Sequence, residues 1–132
     1  CMSDAPRGVF QTVGRQVRLL PEGLPDVSGL HVLAAGVAAA EICRNRLEPC
    51  HGLFMAARAA DCRRAVDLEL ADPRLAAFLR GEELEIEGEP GWTAVCAAGV
   101  VTGFGKASAR QGGTGTMFLK NRYPKGLRTW GA

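Results

Sequence analysis

The sequence predicts an α+β fold: a compact, mixed β barrel with two short helices. Three observations predict it. Apolar residues alternate with polar ones in many short runs, a period of two rather than a long helical stripe. Glycine and proline, 17 and 7 of 132 residues, fall between those runs and cut them short. One segment carries full helix punctuation, Asp72-Pro73 at its start and Gly81 after its end. A chain of this length with 47% hydrophobic residues can bury a core without disulfides or a metal.

The elements follow in order. Residues 1–8 open on Cys1 ahead of Met2 and are expected to be a disordered or cloning-derived N-terminus. Val9, Val13, Val17 and Leu19 share one parity, which predicts two half-buried strands broken near Gly14. The stretch LLPEGLPDVSG is a loop. Leu30 to Ile42 is small and apolar with Gly36 inside, and reads as strand, bend, strand, although an alanine-rich segment also suits a helix. Pro49 opens a short helix to about Ala60, with Leu53, Phe54 and Ala57 inward. Val66, Leu68 and Leu70 alternate as a strand. Leu75, Phe78 and Leu79 give the helix after Asp72 its apolar stripe. Leu84 and Ile86 alternate with Glu83, Glu85, Glu87 and Glu89, a strand with one acidic face. Trp92–Ala98 and Val100–Phe104 pair as a hairpin around Gly99. ARQGGTGT is a flexible loop by composition, and Met117–Leu119 a last short strand. No internal repeat or linker divides the chain. Residues 9–128 read as the domain and 129–132 as a C-terminal tail.

Charge is distributed unevenly. The formal net charge is +2, yet all 14 acids precede Gly91. The first 90 residues carry about −4, and the last 42 carry +6 from Lys106, Arg110, Lys120, Arg122, Lys125 and Arg128. That asymmetry points to a polyanionic partner for one face. The segment FLKNRYPKGLR concentrates it: four cations around Tyr123, able to meet phosphates while the ring stacks on an unpaired base. Lys106 extends the cluster. Arg44 and Arg46, two apart, share one face of a strand as a second patch. Asn121 either hydrogen-bonds a base or sugar or closes a turn. Pro124 and Gly126 shape the loop.

Other motifs carry less. Five cysteines, an odd number with no C-x-x-C, signal neither a disulfide framework nor a zinc site and fit a reducing cytoplasm. No apolar run reaches the length of a membrane span, and no signal peptide is visible. Cys50-His51 has the residue types of a nucleophile and base. Adjacent residues rarely hold that geometry, however, and no orienting acid is evident. His31 reads as a core or edge histidine. Gly103-Phe104-Gly105-Lys106 lacks the spacing of a Walker loop, so its glycines bend a strand or allow close backbone approach. QGGTGT lacks the strand-to-helix context of a dinucleotide site. Trp92 is either a stacking platform or a core anchor. The acidic strand reads as a solvated face that would also repel RNA bound opposite it.

LLPEGLP, GLHVLAAGV, EICRNRLEPCHGL, FLRGEEL, GWTAVCAAGVVTGFGKAS and LKNRYPKGLR occur in that order. Together they resemble the C-terminal PUA-like domain of RsmF-type 16S ribosomal RNA cytosine methyltransferases, in the Sun family, over about Val9 to Arg128. GFGK and LKNRYPKGLR are the most specific pieces. The resemblance implies a PUA-like pseudo-barrel that grips 16S ribosomal RNA while a methyltransferase domain in cis modifies a cytosine. With the charge pattern above, the RNA contacts expected are Lys106, Lys120, Asn121, Arg122, Tyr123, Lys125 and Arg128, with Arg44 and Arg46 as the second patch. The resemblance implies no catalysis and no cofactor here, since S-adenosylmethionine and the two catalytic cysteines belong to a Rossmann-like domain that 132 residues cannot also hold. Pro49-Cys50 mimics the family's catalytic Pro-Cys but lies in EPCHGL, where the PUA-like part usually has serine. ARQGGTGT is longer than usual. A monomer in the cytoplasm is expected. The alternative is a protein-interaction module whose basic segment docks on the methyltransferase domain or a ribosomal protein.

Overall fold

The computed structural model describes residues 1–3, 6–26, 28–32, 34–110 and 115–130. Two sheets are packed on a short helix. The first is an antiparallel meander of β1 (Val9–Val13), β2 (Gln16–Leu20), β3 (Val37–Cys43) and β4 (Arg46–Pro49), in the order β1-β2-β3-β4. Helix α1 (His51–Met55) follows, then β5 (Ala65–Leu68), α2 (Pro73–Arg80) and β6 (Leu84–Glu87). β7 (Gly91–Ala97), β8 (Val100–Ala109) and β9 (Thr116–Asn121) complete a mixed second sheet, ordered β5-β7-β8-β9-β6. β5 runs parallel to β7 and every other pairing is antiparallel.

The β7–β8 hairpin is buried on both faces, which is why its sequence runs apolar instead of alternating. One face holds Val95 and Ala107 against Leu75 and Phe78 of α2, with Leu68, Leu84, Ile86 and Leu119. The other holds Ala94, Cys96, Val101 and Phe104 against Phe54 of α1. Phe54 and Phe104 stack with centroids 4.3 Å apart and planes 9° from parallel. The next residue of α1, Leu53, packs with Leu19 and Ala39 of the first sheet. Two neighbouring side chains of one helix thus join the two sheets. The helix predicted at Asp72 forms as its punctuation requires. The Asp72 carboxylate accepts from the Arg74 N–H at 2.9 Å, and Gly81 adopts φ 91°.

Several elements differ from expectation. Pro49 ends β4 instead of opening a helix, and α1 stops at Met55, with a separate 3-10 turn at Ala59–Asp61. A glycine at the second helical position and a length of five residues leave this helix little intrinsic stability, so packing, not propensity, fixes its length. The strand, bend, strand expected over 30–42 reduces to β3, because Gly36 turns at φ 64° immediately before it. β5 ends at Leu68, and Leu70 lies 75% exposed. β1, expected to be half-buried, is exposed at all five positions. The hairpin around Gly99 forms but extends to Ala109. Met2 bridges Cys62, and the Cys1 carbonyl accepts from the Arg63 N–H at 2.9 Å, so residues 1–3 are anchored. Part of the ARQGGTGT segment, 111–114, lies outside the described residues. Among the described residues no helix is long and apolar enough to cross a membrane.

Candidate nucleic-acid interface

Register assembles the basic residues. Residues directly opposite in an antiparallel pair point to the same face. Trp92 of β7 lies opposite Lys106 of β8, and Lys106 lies opposite Lys120 of β9, so the three form one row. Arg122 follows two residues after Lys120, its N–H donating to the Phe104 carbonyl at 3.1 Å. The Lys106 ammonium stands 5.2 Å from the Trp92 ring centroid and the Arg122 guanidinium 5.6 Å from it. Farther along the same face, Arg110 stacks on Phe118 at 3.9 Å. Cations held over rings are positioned and partly desolvated, yet keep their donors for a ligand.

Acids border this surface. Glu48 lies 2.7 Å from Arg46 and 3.8 Å from Arg122, and Glu83 lies 3.5 Å from Arg110. Glu85 sits directly opposite Phe118, on the cationic face of the sheet. The acidic strand, expected to back the basic face, instead forms its rim. The reason is sheet order: β6 pairs with β9, so its outward residues share the face of Phe118 and Lys120.

A second set of candidates frames the first. The Asn121 amide donates to the Phe78 and Glu82 carbonyls, both at 2.8 Å, and its oxygen accepts from the Tyr123 N–H at 2.7 Å. It closes the turn after β9. Tyr123 is half-buried against Phe78, with centroids 5.5 Å apart, and meets His51 edge-on at 5.7 Å. Arg128 covers Gly81 at the C-terminal end of α2, where its positive charge complements the helix dipole. Its Nε donates to the Tyr123 carbonyl at 3.2 Å, and the Thr129 N–H donates to the Leu79 carbonyl. Lys125 is exposed in the 3-10 turn Lys125–Leu127. Arg44 and Arg46 lie at one end of the first sheet but do not share a strand face as expected: Arg44 sits in the two-residue β3–β4 turn at φ 52°, and Arg46 opens β4.

The glycines of GFGK act by close approach. A methyl on Gly105 would come 2.6 Å from the Lys120 carbonyl oxygen. One on Gly103 would come 2.9 Å from the Phe78 ring and 3.1 Å from Tyr123. The space beside them is filled by protein, so these glycines serve the close packing of β8 against β9, Phe78 and Tyr123. Cys50-His51 does not fit a catalytic pair. Burial, reinforced by Glu41 and Cys43, raises the Cys50 thiol pKa and keeps it protonated. Burial lowers the pKa of His51, whose ring faces Tyr123. Among the described residues no cluster of ligating side chains is arranged to hold a metal.

Sequence reasoning left Trp92 undecided and missed Arg110, Phe118 and Glu48. A signal for Trp92 existed: it and Lys106 each lie seven residues from Gly99, the centre of the expected hairpin. Nothing comparable marks Glu48, whose partner Arg122 comes from the other sheet.

Two family models match the chain. One, described as the methyltransferase RsmF PUA domain, matches residues 65–129. The other, the RsmF rRNA methyltransferase first C-terminal domain, matches residues 2–56. The first match covers the five-stranded sheet and α2, and the second covers the four-stranded sheet and α1. The span read as one domain, 9–128, is therefore met by two adjacent models. No curated protein matches the chain. With two consecutive models of one family matching in order, the chain belongs to the C-terminal region of the RsmF-type rRNA methyltransferases, and its second sheet is their PUA domain, an α+β pseudo-barrel.

Proposed function

We propose that this chain is an RNA-binding accessory region that positions ribosomal RNA, specifically 16S, for a 5-methylcytosine methyltransferase domain in cis. One observation carries the reading: Lys106 and Arg122 stand over the Trp92 ring, and Lys120 lies opposite Lys106 on the same sheet face. Lysines and arginines neutralise phosphates, and an aromatic ring within the same patch offers a surface for an unpaired base. Lys125, Arg44 and Arg46 extend the contact. Asn121, Tyr123 and Arg128 hold the turn that presents it. Catalysis and S-adenosylmethionine belong to a separate catalytic domain. The chain acts as a monomer in the cytoplasm, a compartment that suits its five free cysteines.

The test is fluorescence anisotropy with 16S ribosomal RNA fragments at several salt concentrations, beside a Lys106→Ala/Lys120→Ala/Arg122→Ala variant. Five or six neutralised phosphates give a log–log salt slope of roughly −4 to −5. The variant is expected to lose most of the affinity and to flatten the slope by about 2 to 3. A salt-independent signal, or a variant that binds like wild type, would overturn the reading and favour docking on a protein surface.

A further inference from the structure

The end of the first sheet carries a groove of about 620 Å3 lined by Arg15, Cys43, Arg44, Asn45 and Arg46. Three of the five are arginines and none is an acid. Two hairpin turns build it: Gly14-Arg15 between β1 and β2, and Arg44-Asn45 between β3 and β4. The turns are locked together. The Ile42 N–H donates to the Arg15 carbonyl at 2.7 Å, and Arg15 Nε donates to the Ile42 carbonyl at 3.2 Å.

Arg44 adopts φ 52°. It holds the first position of a two-residue hairpin turn, where positive φ favours glycine. A side chain kept at such a position is a reason to look for a role for that side chain. The groove is also linked to the PUA sheet. Arg46, on its wall, and Arg122, beside Trp92, both lie within 4 Å of the Glu48 carboxylate. That carboxylate keeps two guanidinium groups from different sheets close together.

We infer that the Arg15–Arg44–Arg46 groove is a second phosphate site, and that one single RNA strand runs across both sheets, from Trp92 past Arg122 and Glu48 into the groove. The inference rests on the RNA-binding reading above and extends it to the first C-terminal domain. Arginine forks fit phosphate oxygens bidentately, and two preformed cationic sites joined by a fixed link bind a spanning strand more tightly than either binds alone. Glu48 is a positioning residue, not a contact.

The experiment measures anisotropy of two labelled single-stranded RNAs, about 3 and about 20 nucleotides long, below and above the roughly 4–16 nucleotides that one module covers. The whole chain is used as wild type, as Arg44→Gly, and as Arg15→Ala/Arg44→Gly. Glycine suits the backbone at position 44, so the single variant is expected to keep its melting temperature and tests the site even if the double variant folds poorly. The expected result is a loss of about tenfold or more for the long RNA in the double variant, a smaller loss in Arg44→Gly, and little change for the short RNA. The salt slope for the long RNA should fall by roughly 1.5. Unchanged long-RNA affinity in both variants overturns this inference and removes Arg44 from the contacts proposed above, while RNA binding at the Trp92 cluster stands. Wild-type protein that binds neither RNA overturns it together with the reading it rests on.

Discussion

The two sheets bury themselves differently. In the second, the β7–β8 hairpin is covered by α2 on one face and α1 on the other, and Ala94, Val95 and Cys96 are completely buried. In the first, β1 is exposed throughout, and the buried core reduces to Leu19, Ala39 and Leu53. The second sheet thus has a core of its own with α2 besides the one it shares with α1, whereas the first has only what α1 brings to it. Stability and cationic surface are also divided unequally: the PUA sheet carries most of the burial and the Trp92 cluster, and the first sheet carries the arginine groove at its rim.

Phe54→Ala is the strongest way to break this arrangement. It removes a ring that is fully buried and stacked on Phe104, and such deletions cost about 3–5 kcal/mol. Thermal unfolding should fall markedly, and the first sheet should lose amide-exchange protection with it. Val13→Ala on the exposed edge strand should change stability by less than about 0.5 kcal/mol. Equal effects from the two substitutions would mean that the sheets do not differ as described.

How much could be read in advance follows the same division. Asp72-Pro73 and Gly81 fixed α2 because capping is local chemistry. The alternation of Leu84 and Ile86 with glutamates fixed β6, since one of its faces meets solvent. The alanine-rich stretch before Ile42 did not resolve into β3, because small residues leave little periodicity and pairing with β2 and β4 decides its extent. The cations of the tail were visible as a cluster. The division of the candidate residues into exposed cations (Lys106, Lys120, Arg122) and a framing set (Asn121, Tyr123, Arg128) was not. That division depends on contacts with Phe78, Leu79, Gly81 and Glu82, some forty residues away in the chain. Glu48 was hidden for the same reason.

Gly105→Ala sharpens the comparison within the PUA sheet. The new methyl would meet the Lys120 carbonyl, a backbone atom that cannot rotate aside. Overpacking of this kind costs about 1–3 kcal/mol and pushes β9 away from β8. RNA affinity should fall together with stability, because Lys120 and Arg122 move with β9. A variant that loses stability but keeps wild-type affinity would separate the Lys120 position from binding.

Asp72→Ala should act on stability alone. It removes the carboxylate that caps α2 and pairs with Arg74 at 2.7 Å. Cap loss costs about 1 kcal/mol, and the exposed ion pair adds little. Denaturant midpoints should shift by that amount while RNA binding stays at wild-type strength. An affinity loss larger than the fraction unfolded explains would place α2 nearer the RNA than the Trp92 face implies.

The smallest effect falls at the joint itself. His51 opens α1 and turns its ring edge-on to Tyr123, linking the helix that joins the sheets to the turn that presents Arg122. Burial holds its pKa below the ordinary 6.5. On acidification the unfolded chain therefore takes up a proton at His51 before the folded chain does. Stability contributed by neutral His51 is fully present above pH 6.5 and is lost as pH falls from there through the lower folded value. The melting temperature of wild type should drop more between pH 7.5 and 5.5 than that of His51→Gln. If both proteins track together, the imidazole is free to charge where it sits, and the α1–Tyr123 contact is looser than the packing of Phe54 on the same helix.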